Sequence, residues 1–268
     1  RKAEALKEKG ISPCLTIIRV GERPDDLAYE RGAKKRMELS GIECRVRELP
    51  EDIGQEEFEK EFAKINEDPS VHGILLFRPL PPHLDEEPVR AIIHPYKDVD
   101  CMSDTNIAKV FSGDETGFAP CTAEAVIEML DHFQVDPAGK KVTVVGRSMV
   151  VGRPLSMLLL KRNATVTICH TRTADLAGAC RNAQILVAAA GKAEMITEDM
   201  VGKDAVVVDV GINVDENGNL CGDVDFNAVQ EKASCLSPVP GGVGSVTTSV
   251  LASHVLRGAC YLNQIQMI

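Results

Sequence analysis

The sequence predicts an α/β protein with two lobes, each built on a parallel β-sheet. Short apolar runs rich in β-branched residues alternate with longer helical stretches, the pattern of strands joined by helices. The later runs are apolar throughout, as expected for strands that are covered on both faces. The predicted strands occupy residues 14–20, 44–49, 72–77, 141–146, 164–169, 184–190 and 205–211.

The predicted helices lie between these strands. Their sequences include residues 25–41, 54–68 and 122–133. Thr122 is the expected N-cap of the third of these helices, because its hydroxyl can accept an N–H from the first turn.

The spacing of the elements changes near Pro120, after the proline-rich segment FRPLPPHLDEEP. Residues 1–121 are therefore predicted to form one lobe and residues 122–246 a second. Residues 247–268 contain an apolar last helix, which is expected to pack back on the first lobe and so complete it.

The composition excludes several functional classes. The net charge of −10 over 268 residues argues against a nucleic-acid partner, which requires a basic face. No apolar run has the length of a membrane span, so no membrane contact is expected. The nine cysteines lack C-x-x-C or metal-ligand spacing, which predicts free thiols, a cytoplasmic location and no bound metal. The first residues, RKAEALKEKG, begin within a helical pattern, so further residues are expected upstream.

The segment VGRSMVVGRP, residues 145–154, joins a predicted strand to a predicted helix. Gly146 permits a sharp turn after the strand, and Gly152 permits close packing where the helix begins. Unpaired N–H groups at a helix N-terminus bind anions. Arg147 and Ser148 add a fork of donors and a hydroxyl suited to a phosphate group. Taken alone, the segment predicts either a dinucleotide-binding turn or simply a tight turn.

The next predicted strand ends in CHTRT, residues 169–173. Sites for NAD usually carry an acidic residue at this point, which binds the ribose hydroxyl groups. Here Thr171 and Arg172 occupy the position, and no acid is present. This favours a cofactor with a 2′-phosphate, which is NADP, with NAD as the alternative.

Six sequence blocks together resemble the 5,10-methylenetetrahydrofolate dehydrogenase/methenyltetrahydrofolate cyclohydrolase family. They occur in the order and at the spacing of that family and extend over nearly the whole chain. The blocks are KDVD (97–100), PCT (120–122), VVGRSMVVGRP (144–154), VVDVGIN (207–213), GDV (222–224) and PVPGGVGSVT (238–247).

The resemblance implies a homodimer with two α/β lobes per subunit, folate in the cleft between the lobes, and a Rossmann-type second lobe. It implies that hydride passes from 5,10-methylenetetrahydrofolate to nicotinamide and leaves a methenyl cation. Some members of the family then hydrolyse this cation to 10-formyltetrahydrofolate. The first step depends mostly on positioning and electrostatics, whereas the addition of water requires groups that manage protons.

Individual roles follow from matching positions. Tyr29 matches the tyrosine that stacks against folate and Asp100 the acid that hydrogen-bonds the pterin, so these two are the catalytic candidates. Gly211 and Ile212 match the loop beside the nicotinamide. The loop that borders both substrate and nicotinamide is matched by Pro240, Gly241, Gly242, Val243 and Gly244. Without the resemblance, Tyr29 would be read as a core aromatic residue and Asp100 as an acid that caps a turn.

The chain departs from the family at the two positions associated with the cyclohydrolase step. The family places a lysine four residues after the tyrosine, on the same helix face, where this chain has Ala33. Lys34 lies about 100° around the helix and should point away. The glutamine that partners the lysine is replaced by Phe77. Other departures are Asp26, Cys101 and Ser245, where the family has serine, glycine and proline.

These substitutions predict a dehydrogenase with weak or absent cyclohydrolase activity. One alternative is a bifunctional enzyme with a rearranged site that recruits Lys34, Lys35, Arg78 or Asp26. A third interpretation is a non-catalytic folate- or nucleotide-binding regulator, against which the retention of the whole cofactor lobe argues. Formation of reduced nicotinamide would separate this regulator from the two enzymes.

Overall fold

The structure is a computed structural model, and it describes residues 1–266 of the chain. The chain divides into two compact units. Unit 1 comprises Arg1–Cys121 and the chain from Thr248 onward, and unit 2 comprises Thr122–Thr247. The boundaries predicted from the sequence lie between residues 121 and 122 and between residues 246 and 247.

Unit 1 contains a parallel three-stranded sheet with the order β2-β1-β3. Its elements in chain order are α1 (Lys2–Glu8), β1 (Cys14–Val20), α2 (Pro24–Leu39), β2 (Glu43–Leu49), α3 (Gln55–Glu67), β3 (Gly73–Leu76), α4 (Glu87–Ile92) and α5 (Asp104–Ser112).

The central position of β1 follows from its composition. All seven of its residues are buried, whereas the edge strand β2 carries charged residues that are partly exposed. One sheet face is covered by a core that includes Ile18, Phe58 and Phe62. Arg19 is the charged residue of β1. It is buried, and its guanidinium forms an ion pair with Glu30 of α2 at 3.0 Å.

Helix α2 is the element that carries the first candidate site residues. Pro24 begins it, and Asp25 and Asp26 in its first turn suit the positive end of the helix dipole. Its buried face consists of Asp26, Glu30, Ala33 and Met37, which lie three or four residues apart.

Unit 2 contains a parallel five-stranded sheet with the order β10-β7-β6-β4-β5 and a small antiparallel hairpin of β8 and β9. Its elements in chain order are α6 (Cys121–His132), β4 (Lys141–Val145), α7 (Gly152–Lys161), β5 (Thr165–Cys169), α8 (Leu176–Arg181), β6 (Ile185–Ala188), a 3₁₀ turn (Glu198–Met200), β7 (Val206–Asp209), β8 (Asn213–Val214), β9 (Leu220–Cys221), α9 (Phe226–Val229) and β10 (Cys235–Leu236). The last helix, α10 (Val243–Leu262), begins in unit 2 and continues into unit 1 from Thr248.

Two predicted helix starts are wrong. Helix α6 begins at Cys121, so Thr122 lies inside the helix and is not its N-cap. Helix α10 begins at Val243, four residues before the predicted start, so Val243 and Gly244 lie in its first turn rather than in a loop. The short strands β8, β9 and β10 were not predicted, because two-residue strands leave no periodic pattern.

The C-terminal part of α10 packs in unit 1. Ala259 and Cys260 form a buried cluster with Leu6 of α1. The Arg257 guanidinium donates a 2.9 Å hydrogen bond to the carbonyl of Gly117. This part of α10 therefore completes the core of unit 1.

Candidate functional site

The first group of candidate residues in unit 1 surrounds Tyr29. Its ring meets the ring of Phe77 edge to face, with centroids 5.8 Å apart and an interplanar angle of 81°. Phe77 follows the carboxyl end of β3, and Ala33 lies one helical turn beyond Tyr29 with no exposed surface. The position at which the family has lysine is thus a buried methyl group.

The neighbouring lysine does not replace the missing one. The Lys34 side chain is half exposed and its ammonium lies 3.7 Å from the carboxylate of Glu30. Lys35 is exposed. Asp26 is buried near Arg23, whose guanidinium lies 3.6 Å from its carboxylate. Of the residues proposed for a rearranged site, Arg78 is the one that acts electrostatically on Asp100.

The KDVD segment contains two residues with structural hydrogen bonds, Lys97 and Asp98, and one candidate site residue, Asp100. The Lys97 ammonium donates to the carbonyls of Asn66 and Asp68, both at 2.7 Å, and so caps the C-terminal end of α3. The Asp98 carboxylate accepts bonds from residues at the start of α5. Asp100 remains half-buried and accepts the N–H of Cys121 at 2.8 Å.

Burial raises the pKa of Asp100, while the hydrogen bond from Cys121 and the positive charge of Arg78 oppose this rise. Burial also raises the pKa of the Tyr29 phenol, and the charges of Cys121 and Asp100 add to the rise. Cys121 is hydrogen-bonded to Asp100, and Tyr29 lies close enough to both for their charges to act on its phenol. The two catalytic candidates of the sequence therefore lie in one place, although 71 residues separate Tyr29 from Asp100 in the chain.

Cys101 occupies a backbone position that explains the glycine of the family. Its φ angle is +58°, in the left-handed region that residues with a side chain rarely adopt. Its side chain is buried. A glycine would adopt this conformation without strain, and cysteine occupies it at some energetic cost.

The turn between β4 and α7 is closely packed at both of its glycines. A Cβ atom on Gly152 would lie 2.1 Å from the carbonyl oxygen of Gly146 and 2.8 Å from the Cα of Arg147. The Ser148 hydroxyl accepts the N–H of Val151 at 3.1 Å. The glycines therefore allow the turn to fold back on itself before the first turn of α7.

The turns that follow β4 and β5 lie side by side. The two strands are paired in parallel, and the N–H of Gly146 donates to the carbonyl of Cys169 at 2.9 Å. Arg147 and Arg172 are exposed, and neither guanidinium has a hydrogen-bond or ion-pair partner within residues 1–266. Thr171 is exposed in the second turn.

The remaining predicted residues line one cavity of unit 2. Gly211 and Ile212 follow β7, and the segment from Pro240 to Gly244 leads into α10. Together they border a cavity of about 180 Å³. The Ile212 side chain is 68% exposed, which leaves an apolar surface at the rim of this cavity.

Two functional candidates were missed in the sequence. Asp209, at the end of β7, and Asp223, in the GDV block, are buried and accept several N–H groups each. The position of Asp209, an acid at the end of an apolar strand, could have indicated a functional residue. Its hydrogen bond with Asp223 is not visible in the sequence.

Cys121 and His254 form a second contact in unit 1. In the structure the Cys121 sulfur lies 3.7 Å from Nδ1 of His254. Both groups also approach the carbonyl of Val99, at 3.2 Å for the thiol and 2.8 Å for the imidazole. Because these residues are far apart in the chain, no local sequence pattern indicates the contact.

Residues 1–266 contain neither a cluster of metal ligands nor a helix suited to a membrane. No three side chains of histidine, cysteine, aspartate or glutamate come together in a way that could hold a metal ion. In the same residues, no helix combines the length and the apolar character that a membrane crossing requires.

The fold and the turns of unit 2 define a class of protein. A parallel sheet in which β5 and β6 flank β4, with a glycine turn and a helix N-terminus after β4, is a dinucleotide-binding domain of the Rossmann type. The ligand crevice of such sheets lies at the carboxyl ends of the strands, where the strand order reverses. Here that point lies between β4 and β6.

Comparison with known proteins gives the family. The model described as tetrahydrofolate dehydrogenase/cyclohydrolase, catalytic domain, matches residues 1–100. The model described as tetrahydrofolate dehydrogenase/cyclohydrolase, NAD(P)-binding domain, matches residues 120–263. The chain belongs to the tetrahydrofolate dehydrogenase/cyclohydrolase family, which confirms the resemblance.

Individual relatives agree with this assignment. The chain is 58% identical over 262 residues to the bifunctional protein FolD of Clostridioides difficile, covering 98% of this chain and 91% of that protein. A crystal structure of the bifunctional enzyme FolD from Campylobacter jejuni is 40% identical, with a TM-score of 0.94 over 97% of this chain and 92% of that one. The FolD of Trypanosoma brucei, complexed with NADP cofactor and an inhibitor, is 35% identical, with a TM-score of 0.92 over 97% of this chain and 91% of that one.

Proposed function

We propose that this protein transfers a hydride from 5,10-methylenetetrahydrofolate to NADP and produces 5,10-methenyltetrahydrofolate. The observation that carries the proposal is a pair of guanidinium groups, those of Arg147 and Arg172, on adjacent turns beside the N-terminus of α7. Neither has a hydrogen-bond or ion-pair partner among residues 1–266. Membership of a family of tetrahydrofolate dehydrogenases supplies the reaction class. The NADP complex of the Trypanosoma brucei relative supports the choice of cofactor.

The residues of unit 1 suit the pteridine. The Tyr29 ring, held against Phe77, offers a flat apolar face for stacking. The Asp100 carboxylate accepts hydrogen bonds from N–H groups of the pterin, and the bond from Cys121 fixes its orientation. NADP, when bound, supplies the hydride acceptor. We expect the protein to act mainly by positioning, because the reaction itself needs no proton transfer.

The cofactor preference is tested by the paired variant Arg147→Ala/Arg172→Ala. Both guanidinium groups suit a 2′-phosphate, which NAD lacks, so KM for NADP should rise by about a hundredfold and KM for NAD should change little. Initial rates with each cofactor measure the two values. Lys203→Ala is the control, because this exposed residue precedes β7, at the opposite end of the strands. An equal rise of KM for NADP and for NAD would contradict the assignment of the two arginines to the 2′-phosphate.

The second activity of the family is a separate question. The prediction of weak or absent cyclohydrolase activity has no support from the relatives, which are named bifunctional at 51–58% identity. The alternative, a bifunctional enzyme with a rearranged site, fits their names better, and we propose it. Arg78 and Asp100 support this proposal as neighbours that could replace the lysine and glutamine.

Arg78 and Asp100 would have different roles in the addition of water. Water adds to the methenyl carbon and loses one proton to a base, which leaves a hydroxyl group on that carbon. The hydroxyl then loses its proton as the bond from the carbon to N5 breaks, and N5 takes up a proton, so the 10-formyl product forms with net release of one proton. Arginine stays protonated and cannot be the base, so Arg78 would orient the water or the folate. Asp100 can accept the proton, and its raised pKa suits that role.

A paired assay on one preparation tests both activities, with NADPH formation in one cuvette and decay of methenyltetrahydrofolate in the other. We expect enzyme-dependent decay above the buffer background, and Arg78→Ala should lower it by at least about tenfold while hydride transfer persists. Decay at the background rate beside active NADPH formation would instead favour the loss of cyclohydrolase activity. In that event Ala33→Lys/Phe77→Gln should raise the rate. Both changes are needed, because lysine alone would overpack the fully buried position of Ala33.

A further inference from the structure

Asp223 is a fully buried carboxylate whose acceptor positions are all occupied. One oxygen accepts the N–H groups of Ala190 and Gly191, at 2.6 and 2.9 Å. The other accepts the N–H of Lys192 and the side-chain amide of Asn213, both at 2.9 Å. The carboxylate thus joins the loop after β6 to the loop after β7.

Asp209 holds Asp223 in turn. Its carboxylate accepts the N–H groups of Gly211, Asp223 and Val224, at 2.9, 3.0 and 2.9 Å. The Ser237 hydroxyl accepts the N–H of Asp209 at 2.8 Å. Asp209 closes the last turn of β7, and both carboxylates belong to one network at the carboxyl edge of the sheet.

The network leaves no space for a side chain at Gly211, in the loop after β7. A Cβ atom on Gly211 would lie 2.3 Å from a carboxylate oxygen of Asp223. The backbone of the β7 loop therefore rests directly on this carboxylate. Lys192 and Ile212, the residues that this arrangement presents outward, have exposed side chains.

The position of these loops decides which part of a dinucleotide they meet. In a sheet of order β10-β7-β6-β4-β5 the adenosine half lies toward β5, where Thr171 and Arg172 follow the strand. The nicotinamide half of a bound dinucleotide would then lie over the ends of β6 and β7, on the other side of the point where the strand order reverses. Those are the ends that Asp223 connects.

We propose that Asp223, held by Asp209, is a positioning residue that fixes the β6 and β7 loops for the nicotinamide half of the cofactor. The inference rests on the proposed function and assigns a residue through which that function is carried out. Asp223 acts through the loops and does not itself touch the cofactor. The carboxylate is required, because an amide nitrogen in place of either oxygen would turn donors toward two of the four N–H groups.

The test compares a whole cofactor with its adenosine half. In Asp223→Asn, the affinity for NADP and kcat of hydride transfer should each fall by about tenfold or more, because misplaced loops disturb the nicotinamide geometry. The affinity for 2′,5′-ADP, which lacks nicotinamide, should stay unchanged, since the turns after β4 and β5 do not contact Asp223. Titration calorimetry gives both affinities, and a stopped-flow assay of NADPH formation gives kcat.

Two further variants keep the test valid if Asp223→Asn fails to fold. Asn213→Ala removes only the bond between the β7 loop and the carboxylate, and should lower kcat by about two- to tenfold. Asp223→Asn/Asn213→Asp reverses donor and acceptor in that bond and should recover part of the loss. Asp215→Asn is the matched control. This partly exposed carboxylate lies in the same segment but accepts from Asn217 and Asn219, and the activity of the variant should match the wild type.

The outcomes separate the two proposals. Equal losses of affinity for NADP and 2′,5′-ADP, or no loss of either with unchanged kcat, would overturn the role of Asp223. A wild-type protein that binds NADP but forms no NADPH from methylenetetrahydrofolate would overturn the proposed function. In that case the ratio of the two affinities in the variants still decides the positioning role.

Discussion

Asp100→Asn is expected to reduce kcat/KM for methylenetetrahydrofolate by about 10²-fold or more while the protein stays folded. Asparagine keeps an oxygen that can accept the N–H of Cys121, so the start of α6 remains supported. It loses the negative charge and one acceptor that we propose for the pterin. Activity measured beside thermal unfolding separates these two effects.

Two comparisons define the role of Asp100 further. Asp100→Ala removes the acceptor for Cys121 as well, and should lower stability by about 1 kcal/mol beyond the loss of activity. Asp98→Asn should lower stability more than activity, because Asp98 accepts only from structural groups, including Met102 and Ser103. A fully active Asp100→Asn protein would contradict the proposed role.

The pH dependence has a definite sign. Burial raises the pKa of Asp100 in the folded state, so the acid limb of the activity profile should lie above the usual carboxyl range and vanish in Asp100→Asn. The folded-state pKa exceeds the unfolded-state value. The contribution of this group to stability is therefore present below the unfolded-state pKa and is lost as the pH rises through the folded-state pKa.

Gly152→Ala is expected to damage the cofactor site severely. The added methyl group would lie 2.1 Å from the carbonyl oxygen of Gly146, and only backbone movement can relieve that contact. Overpacking of this kind costs about 1–3 kcal/mol of folding free energy. Because the turn that carries Arg147 must move, kcat/KM for NADP should fall by about 10²-fold. Denaturant titration and initial rates measure the two effects.

The same substitution at an open position supplies the control. Gly32 lies in the exposed part of α2, and a Cβ atom there meets no other atom within 4 Å. Gly32→Ala should therefore raise the free energy of unfolding by about 0.5–1 kcal/mol, because glycine weakens a helix interior. Normal NADP kinetics in Gly152→Ala would show that the turn adapts and would contradict this description of the site.

Much of the sheet architecture could be predicted from local sequence. The runs CLTIIRV and KVTVVG coincide with β1 and β4 to within one residue, because buried parallel strands are continuous apolar runs bounded by polar turns. The helix starts were less predictable. Helix α6 begins at Cys121 because Asp100, which lies 21 residues earlier, accepts its N–H, and no local pattern reports such a bond.

The candidate site was likewise predictable only where its residues are close together in the chain. Gly146, Arg147, Ser148 and Gly152 are contiguous or nearly so, and their chemistry can be read from one segment. The substitution of Ala33 was also visible, since helical spacing fixes which residues share a face. By contrast, the sequence did not show that Phe77 would stand against Tyr29, or that Arg78 would act on Asp100.

The sequence by itself determined the α/β class, the strands of both parallel sheets except β10, and the two arginines on the turns after β4 and β5. Those features depend on residues near one another in the chain. Only the tertiary structure decided that Arg19 is neutralised by Glu30, that Cys121 contacts His254, and that Asp223 is enclosed by N–H groups of two loops. Buried charges require partners, and the partners come from elements whose approach is set by the packing of the whole unit.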